Sequence, residues 1–384
     1  MNRFTTSQGA FELARFPEHP RDPFRAWDAA DDYLLQQLTD PGTGPVDLSG
    51  TVAVVGDRWG ALATALAAHR PVQISDSYLA RRATLANLAR NGIDEDAVRL
   101  LSSRDTPPDR IDVLLVRVPK SLAFLEDQLQ RLAPAVHSGT VVIGTGMVKE
   151  IHTSTLKIFE RIIGPTRTSL AVRKARLIFS TPDPALPRTP SPWPYRYELP
   201  ADVGPVAGLT AVNHAGIFCA ERLDIGTRFF LKHLPTRSGA VRVVDLGCGN
   251  GVLGLSAAVA NPDAHLTFVD ESYGAVASAE ETFRAGAPAG AKADFLVGDG
   301  LADLDPGSVD LVLNNPPFHS HLATTDATAR TMFAGAKTAL RQGGELWVVG
   351  NRHLSYHTHL RRIFGNCTTV AGDPKFVVLR AVKR

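Results

Sequence analysis

The run Asp310-Leu-Val-Leu-Asn-Asn-Pro-Pro-Phe318 joins a short apolar stretch, Leu311 to Leu313, to an amide, two prolines and an aromatic ring. Neither Pro316 nor Pro317 has an N–H to give a sheet ladder, so a strand must stop there. The prolines also stiffen the backbone and fix where the Asn315 side chain and the nearby carbonyls point. Such a group is suited to gripping a planar amine. The Asn315 oxygen and the Pro316 carbonyl accept its two hydrogens, and Phe318 stacks on the ring that carries it. An amine conjugated with a ring is a poor nucleophile. Pinning both hydrogens favours a pyramidal nitrogen whose lone pair faces a methyl donor. That chemistry rests on orientation and electrostatics and needs no strong base. A base inside a helix must swing out to reach such a pocket. The plain alternative is a proline-rich turn followed by a core phenylalanine.

A second constellation lies upstream. Asp245-Leu-Gly247-Cys-Gly249-Asn250-Gly251 falls between an apolar strand pattern and a helical one. Its glycines let backbone approach a ligand closely, in a crevice beyond the strand ends. Asp245 precedes the loop, where a carboxylate can hold a cationic amino group. Asp270 ends the next strand, where an acid accepts hydrogen bonds from a ribose diol. Asp299, in Gly298-Asp299-Gly300, follows a further strand and is placed to meet an adenine amino group, directly or through its backbone. A glycine-rich loop alone is weak evidence, and a dinucleotide is the rival ligand. The Asp245 carboxylate repels a pyrophosphate, however, whereas S-adenosylmethionine carries no phosphate. Each acid taken singly also reads as a solvated strand-end residue; the ordered set points to the sulfonium cofactor.

These residues need a doubly wound sheet to position them. Arg242 to Asp245, His265 to Asp270, Asp294 to Val297, Val309 to Leu313 and Glu345 to Val349 read as strands, with helices at Val252 to Val259 and Ala275 to Arg284. The first half repeats the plan: strands at Thr51 to Val55, Val72 to Tyr78 and Ile111 to Leu115, with a helix at Ala61 to Ala68. Gly56-x-x-x-Gly60 lies opposite Gly247-x-x-x-Gly251, and Ser77-Tyr78 opposite Ser272-Tyr273. An internal duplication is inferred. Between the halves, Thr181 to Pro200 holds seven prolines, a composition that predicts no regular element. The expected division is 1–180, a linker at 181–205, and 206–384. The fold class expected is α/β, with two tandem Rossmann-like domains.

The 384 residues suffice for two cored domains, and 44% apolar with 21% charged residues is a globular profile. No apolar run approaches the roughly 20 residues of a membrane span. No secretory signal is visible, and three cysteines without Cys-x-x-Cys spacing suit a reducing cytoplasm. His319 and His321 follow the Pro-Pro run without acids at ligand spacing, so no metal is expected. They read as loop residues near the substrate. His353 and His357 read as an i, i+4 pair on a helix. The net charge of +2 does not by itself imply nucleic acid.

Asn315-Pro-Pro-Phe318 resembles the amino-methyltransferase motif Asp/Asn/Ser-Pro-Pro-aromatic. Asn213-His-Ala-Gly-Ile-Phe218, Leu223-Asp-Ile-Gly226 and Gly344 to Leu354 extend the likeness to the ribosomal RNA guanine-N2 methyltransferases of the paired-domain type. Ala26 to Leu38, Ile151 to Leu156 and Ile363 to Thr369 are most similar to the large-subunit (23S) members. The resemblance implies a catalytic C-terminal methyltransferase domain and an N-terminal copy that helps bind RNA. It also implies that Gly216 to Gly226 packs near the cofactor.

The residues agree with that division. Val54 stands where Asp245 does, Arg58 and Trp59 occupy the loop, and Arg117 and Lys120 stand opposite Asn315 and Phe318. A site that has lost acids and gained cations is unfit for a sulfonium and suited to phosphate. Arg117, Lys120, Arg173 and Lys174 are therefore candidate RNA contacts, with Phe318 and His319 beside the base. The basic stretch from Lys149 to Arg176 reads equally as a solvated face. The reaction expected is methyl transfer from S-adenosylmethionine to N2 of a guanine in ribosomal RNA, 23S before 16S, by a cytoplasmic monomer. Adenine N6 in DNA and a glutamine amide remain rival acceptors, and a non-catalytic RNA-binding assembly factor is the rival of another class.

Overall fold

The computed structural model describes residues 2–18, 22–40, 42, 44–317 and 322–384. The chain forms two compact units, Met1–Pro192 and Trp193–Arg384. Each is built on a seven-stranded sheet. In the first unit, β1 is Val52–Val55, β2 Val72–Ser75, β3 Arg99–Ser102, β4 Ile111–Arg117, β5 Val136–Met147, β6 Thr166–Thr168 and β7 Ala175–Ser180. In the second, β8 is Arg242–Leu246, β9 His265–Asp270, β10 Lys292–Val297, β11 Val309–Asn314, β12 Leu340–Asn351, β13 Thr368–Gly372 and β14 Phe376–Val382. The strand orders are β3-β2-β1-β4-β5-β7-β6 and β10-β9-β8-β11-β12-β14-β13, so the topologies are the same. The first five strands of each order run parallel, and the last two pairings of each order are antiparallel.

The central strands are apolar because helices cover both faces. All four residues of β1 are buried, as are Val243 to Leu246 of β8. From β8 the chain crosses first to β9 on one side and later to β11 on the other. That reversal opens a crevice beyond the carboxyl ends of β8 and β11, the place where open α/β sheets bind ligands.

The duplication extends to single residues. Val55 pairs with Val116 in one sheet and Leu246 with Asn314 in the other, which sets Arg117 opposite Asn315. Ser77 caps the helix Tyr78–Arg90 by accepting from Ala80 N, and Ser272 caps Tyr273–Gly286 by accepting from Ala275 N. The shared Ser-Tyr is thus a helix start in both copies. Gly60 and Gly251 are left-handed, at φ of 75° and 74°. A methyl group there would lie 2.5 Å from Thr84 Cα and 2.8 Å from Ala279 Cα. In each unit, therefore, the loop can rest on the following helix only through a glycine.

Two expectations change. Tyr195–Glu198, inside the proline-dense segment, is a strand paired antiparallel with Thr210–Asn213. The prolines flank these four residues, whose N–H groups stay available to a ladder. His353 and His357 do not share a helix. Arg352–Leu354 is a single 3-10 turn, Ser355 reverses the backbone at φ +53°, and the helix begins at Tyr356. No described helix is long and apolar enough to cross a membrane. No group of three potential metal ligands occurs among the described residues.

Candidate active site

The crevice of the second unit is built from strand ends. Asp245 lies in β8 at 1% exposure. Its Oδ2 accepts from Gly254 N at 2.8 Å, while its Oδ1 is buried without a donor. Burial pushes this carboxyl up to about 7, opposed by the Gly254 N–H and assisted by the charge of Asp270. No cation among the described residues pairs with it.

The loop after β8 folds back on β9: Gly247 and Cys248 donate to Val269 O at 2.8 and 3.0 Å. Asp270 ends β9 and spans two elements, accepting from Gly249 N and Ser272 N, each at 3.0 Å. Its carboxylate therefore fixes the loop and the next helix. Gly249, at φ +53°, would have nothing within 4 Å of a β-carbon, so the loop presents an open face there. Asn250 donates to Asn213 Oδ1 at 3.0 Å and to Tyr197 Oη at 3.3 Å. Burial pushes the Tyr197 phenol up to about 12, so it stays neutral. Asp299, half-buried, sits in the turn after β10, which docks through Gly298 N donating to Asp270 O at 3.0 Å.

Next to β8, β11 delivers the amides. Asn314 is fully buried and donates to Leu246 O at 2.7 Å, tying the two strand ends together. Asn315 Nδ2 donates to Thr227 Oγ1 at 2.8 Å and to Asp224 Oδ2 at 3.3 Å. Its Oδ1 is buried and accepts from none of the described residues. Pro316 is buried and Pro317 exposed. Phe318, His319 and His321 lie outside the described residues.

Asp245, the glycine loop with Asn250, Asp270, Asp299 and Asn315 thus converge on one edge of one sheet. Tyr197 and Thr227 join them without having been singled out from sequence, as does Asp224, which the sequence offered only as part of a family motif. The Tyr-Arg-Tyr-Glu alternation was the available signal for Tyr197, and Leu223-Asp-Ile-Gly226 for Asp224. Asp245 Oδ1 and Asn315 Oδ1, buried without donors among the described residues at the ends of adjacent strands and beside an open glycine face, fit S-adenosylmethionine and an amine. Asp245 would hold a cationic amino group, Asp270 a diol, and the turn at Asp299 an amino-bearing ring.

The corresponding edge of the first unit is filled. Arg58 stands where Gly249 does and pairs with Glu150 at 3.0 Å and Asp28 at 3.9 Å. Arg117 was expected to face phosphate. Instead it is 2% exposed, in contact with Asp28 and facing Asp31 at 3.4 Å and Glu150 at 3.6 Å. Three carboxylates claim its charge, so it belongs to the interior. Burial pushes Asp31 up to about 7 against the pull of Arg117. Burial also opposes ionisation of Glu150, but the Met147 N–H, Arg58 and Arg117 outweigh it and hold that carboxyl below its usual range. Lys120 is exposed. Arg173 and Lys174 form an exposed turn with both residues left-handed, at φ of 48° and 63°, and Arg173 pairs with Asp32.

Residues 1–184 match the family described as the RLMG N-terminal domain, and residues 208–380 the methyltransferase small domain. The chain is 99% identical over 384 residues to ribosomal RNA large subunit methyltransferase G of Streptomyces griseus, covering 100% of both chains. It is 71% identical over 380 residues to the protein of that name in Streptomyces avermitilis, covering 99% of each. Identity to the Stutzerimonas stutzeri protein is 48% over 380 residues, covering 98% of each. A solved Thermus thermophilus 16S rRNA N2 G1207 methyltransferase, in complex with AdoMet and guanosine, superposes with a TM-score of 0.75. It shares 22% identity over 100% of this chain and 97% of that one, a likeness that establishes the fold. On these full-length identities, the chain belongs to the family of ribosomal RNA large subunit methyltransferases G.

Proposed function

We propose that the chain transfers a methyl group from S-adenosylmethionine to the exocyclic N2 of a guanine in large-subunit (23S) ribosomal RNA, and that the second unit alone carries the chemistry. The observation that supports this best is Asn315 Oδ1, an acceptor held at the strand end without a donor among the described residues. When bound, the cofactor supplies an electrophilic methyl on a sulfonium. Asp245, Asp270 and Asp299 hold it over the loop from Gly247 to Gly251. Asn315 Oδ1 accepts one hydrogen of the guanine amine and the Pro316 carbonyl the other, which frees the nitrogen lone pair. Phe318 stacks on the base. Nothing in this scheme asks for a general base before transfer; the proton leaves a nitrogen that has become acidic by alkylation. A ribosomal RNA substrate supports action in the cytoplasm, and we take the protein to act there as a monomer.

The test is methylation in vitro of naked 16S and 23S RNA and of each ribosomal subunit, with the modified nucleotide mapped. The reading expects N2-methylguanosine in 23S RNA alone. Label in 16S RNA, or on a protein glutamine, overturns the substrate assignment. Absence of both cofactor binding and transfer turns the reading towards an RNA-binding assembly factor.

A further inference from the structure

Asn315 does not hold itself. Its amide nitrogen meets Thr227 and Asp224, which lie at the start of the helix Ile225–Leu231. Asp224 is the cap residue, accepting from Thr227 N at 2.8 Å. The Thr227 hydroxyl donates to the same Asp224 oxygen at 3.3 Å. Its lone pairs therefore face Asn315, and hydrogens run one way: Asn315 amide to Thr227 hydroxyl to Asp224 carboxylate. A carboxylate has no hydrogen to give. It can accept only the NH2 side of the amide, so Asn315 Oδ1 must turn the other way. Gly226 leaves this carboxylate room, since a methyl there would lie 3.0 Å from Asp224 Oδ2.

The first unit keeps the same device with other occupants. Its helix Ala29–Leu38 also precedes the first sheet strand, and Asp28 caps it by accepting from Ala30 N at 2.8 Å. Asp28 and Asp31, at the cap and third helical positions, hold Arg117. Asp224 and Thr227, at the same two positions, hold Asn315. Two acids grip a guanidinium in one copy; an acid and a hydroxyl grip an amide in the other.

We propose that Asp224 and Thr227 are positioning residues that lock the Asn315 amide with its oxygen towards the substrate amine. This rests on the catalytic reading of Asn315. The informative variants are Asp224→Asn, Thr227→Val and Thr227→Ser in the full chain. Asparagine caps a helix as well as aspartate does, so Asp224→Asn spares the helix while giving residue 224 hydrogens to donate. Asp224→Asn and Thr227→Val are expected to lower kcat about tenfold to a hundredfold. The S-adenosylmethionine Kd, the RNA KM and the unfolding midpoint stay near wild type, and Thr227→Ser retains activity. A purely structural role predicts the reverse split: a lower midpoint and an unchanged kcat. Wild-type kcat in both Asp224→Asn and Thr227→Val overturns the lock. Asn315→Ala runs alongside. If it is inactive while those two are normal, only the lock fails; if it turns over normally, the catalytic reading itself fails.

Discussion

The two strand-end crevices share topology, register, glycine loop and helix caps, and differ in what fills them. In the second unit, the backbone at Gly249 is open and Asp245 and Asn315 each keep a buried oxygen without a donor among the described residues. In the first, Arg58 and Arg117 occupy the matching positions and are neutralised by Asp28, Asp31 and Glu150. The comparison teaches that one fold position can be left open or filled by its own side chains. In the first unit the cations are met by acids in an ion-pair cluster around the buried Arg117. Arg117 is thereby committed to the interior, which leaves exposed cations such as Lys174 as the ones to test for RNA contact.

The largest effect is expected inside that cluster. Arg117→Met leaves three carboxylates without their shared cation, and breaking a buried pair by removing one partner costs about 3–5 kcal/mol. Urea unfolding of the first unit's transition should show the loss, while cofactor affinity stays unchanged. A neutral outcome means the cluster is solvated and the crevice is not closed.

Next comes the partner across the comparison. Asn315→Ala should lower kcat about 10²–10³-fold, the usual cost of losing one preorganised transition-state contact. Cofactor affinity, read by calorimetry, should barely move.

Asp245 gives a smaller, pH-dependent effect. Its folded carboxyl titrates near about 7, above its ordinary value, because it is buried. Between the unfolded and folded values the native state keeps a proton that the unfolded state has lost, so stability from this group falls as pH rises through that window. A cationic ligand needs the ionised form. Cofactor affinity should therefore rise by about tenfold between pH 6 and 8, as the ionised fraction does. Asp245→Asn should bind more weakly and show a flat profile; a wild-type profile in that variant removes Asp245 from the cofactor site.

The smallest effect belongs to the exposed turn. Lys174→Ala should raise the RNA KM only about two- to threefold and reduce the salt slope of binding by about one. An unchanged slope makes Lys174 a solvated residue.

Much of this was legible in the chain. Apolar runs ending in glycine, aspartate or Asn-Pro-Pro mark the strands and their ligand-facing ends, because burial and backbone chemistry are local properties. The paired Gly-x-x-x-Gly and Ser-Tyr spacings marked the duplication for the same reason. Burial of Arg117 was not legible: its carboxylates come from the helix at Ala29 and the turn at Glu150, and only the closed sheet brings them together. Tyr197 was hidden by the prolines on either side of its strand. The grip of Asp224 and Thr227 on Asn315 spans 91 and 88 positions, a separation no spacing rule reaches.

The central claim is that one chain holds two equivalent crevices and only the second accepts the cofactor. Calorimetric titration of S-adenosylmethionine into the intact protein and into Gly249→Arg tests it most directly, since that variant places in the second crevice the side chain that fills the first. The account predicts one equivalent bound by the wild type and none by a variant that still unfolds cooperatively. Two equivalents in the wild type, or one retained by Gly249→Arg, would contradict it.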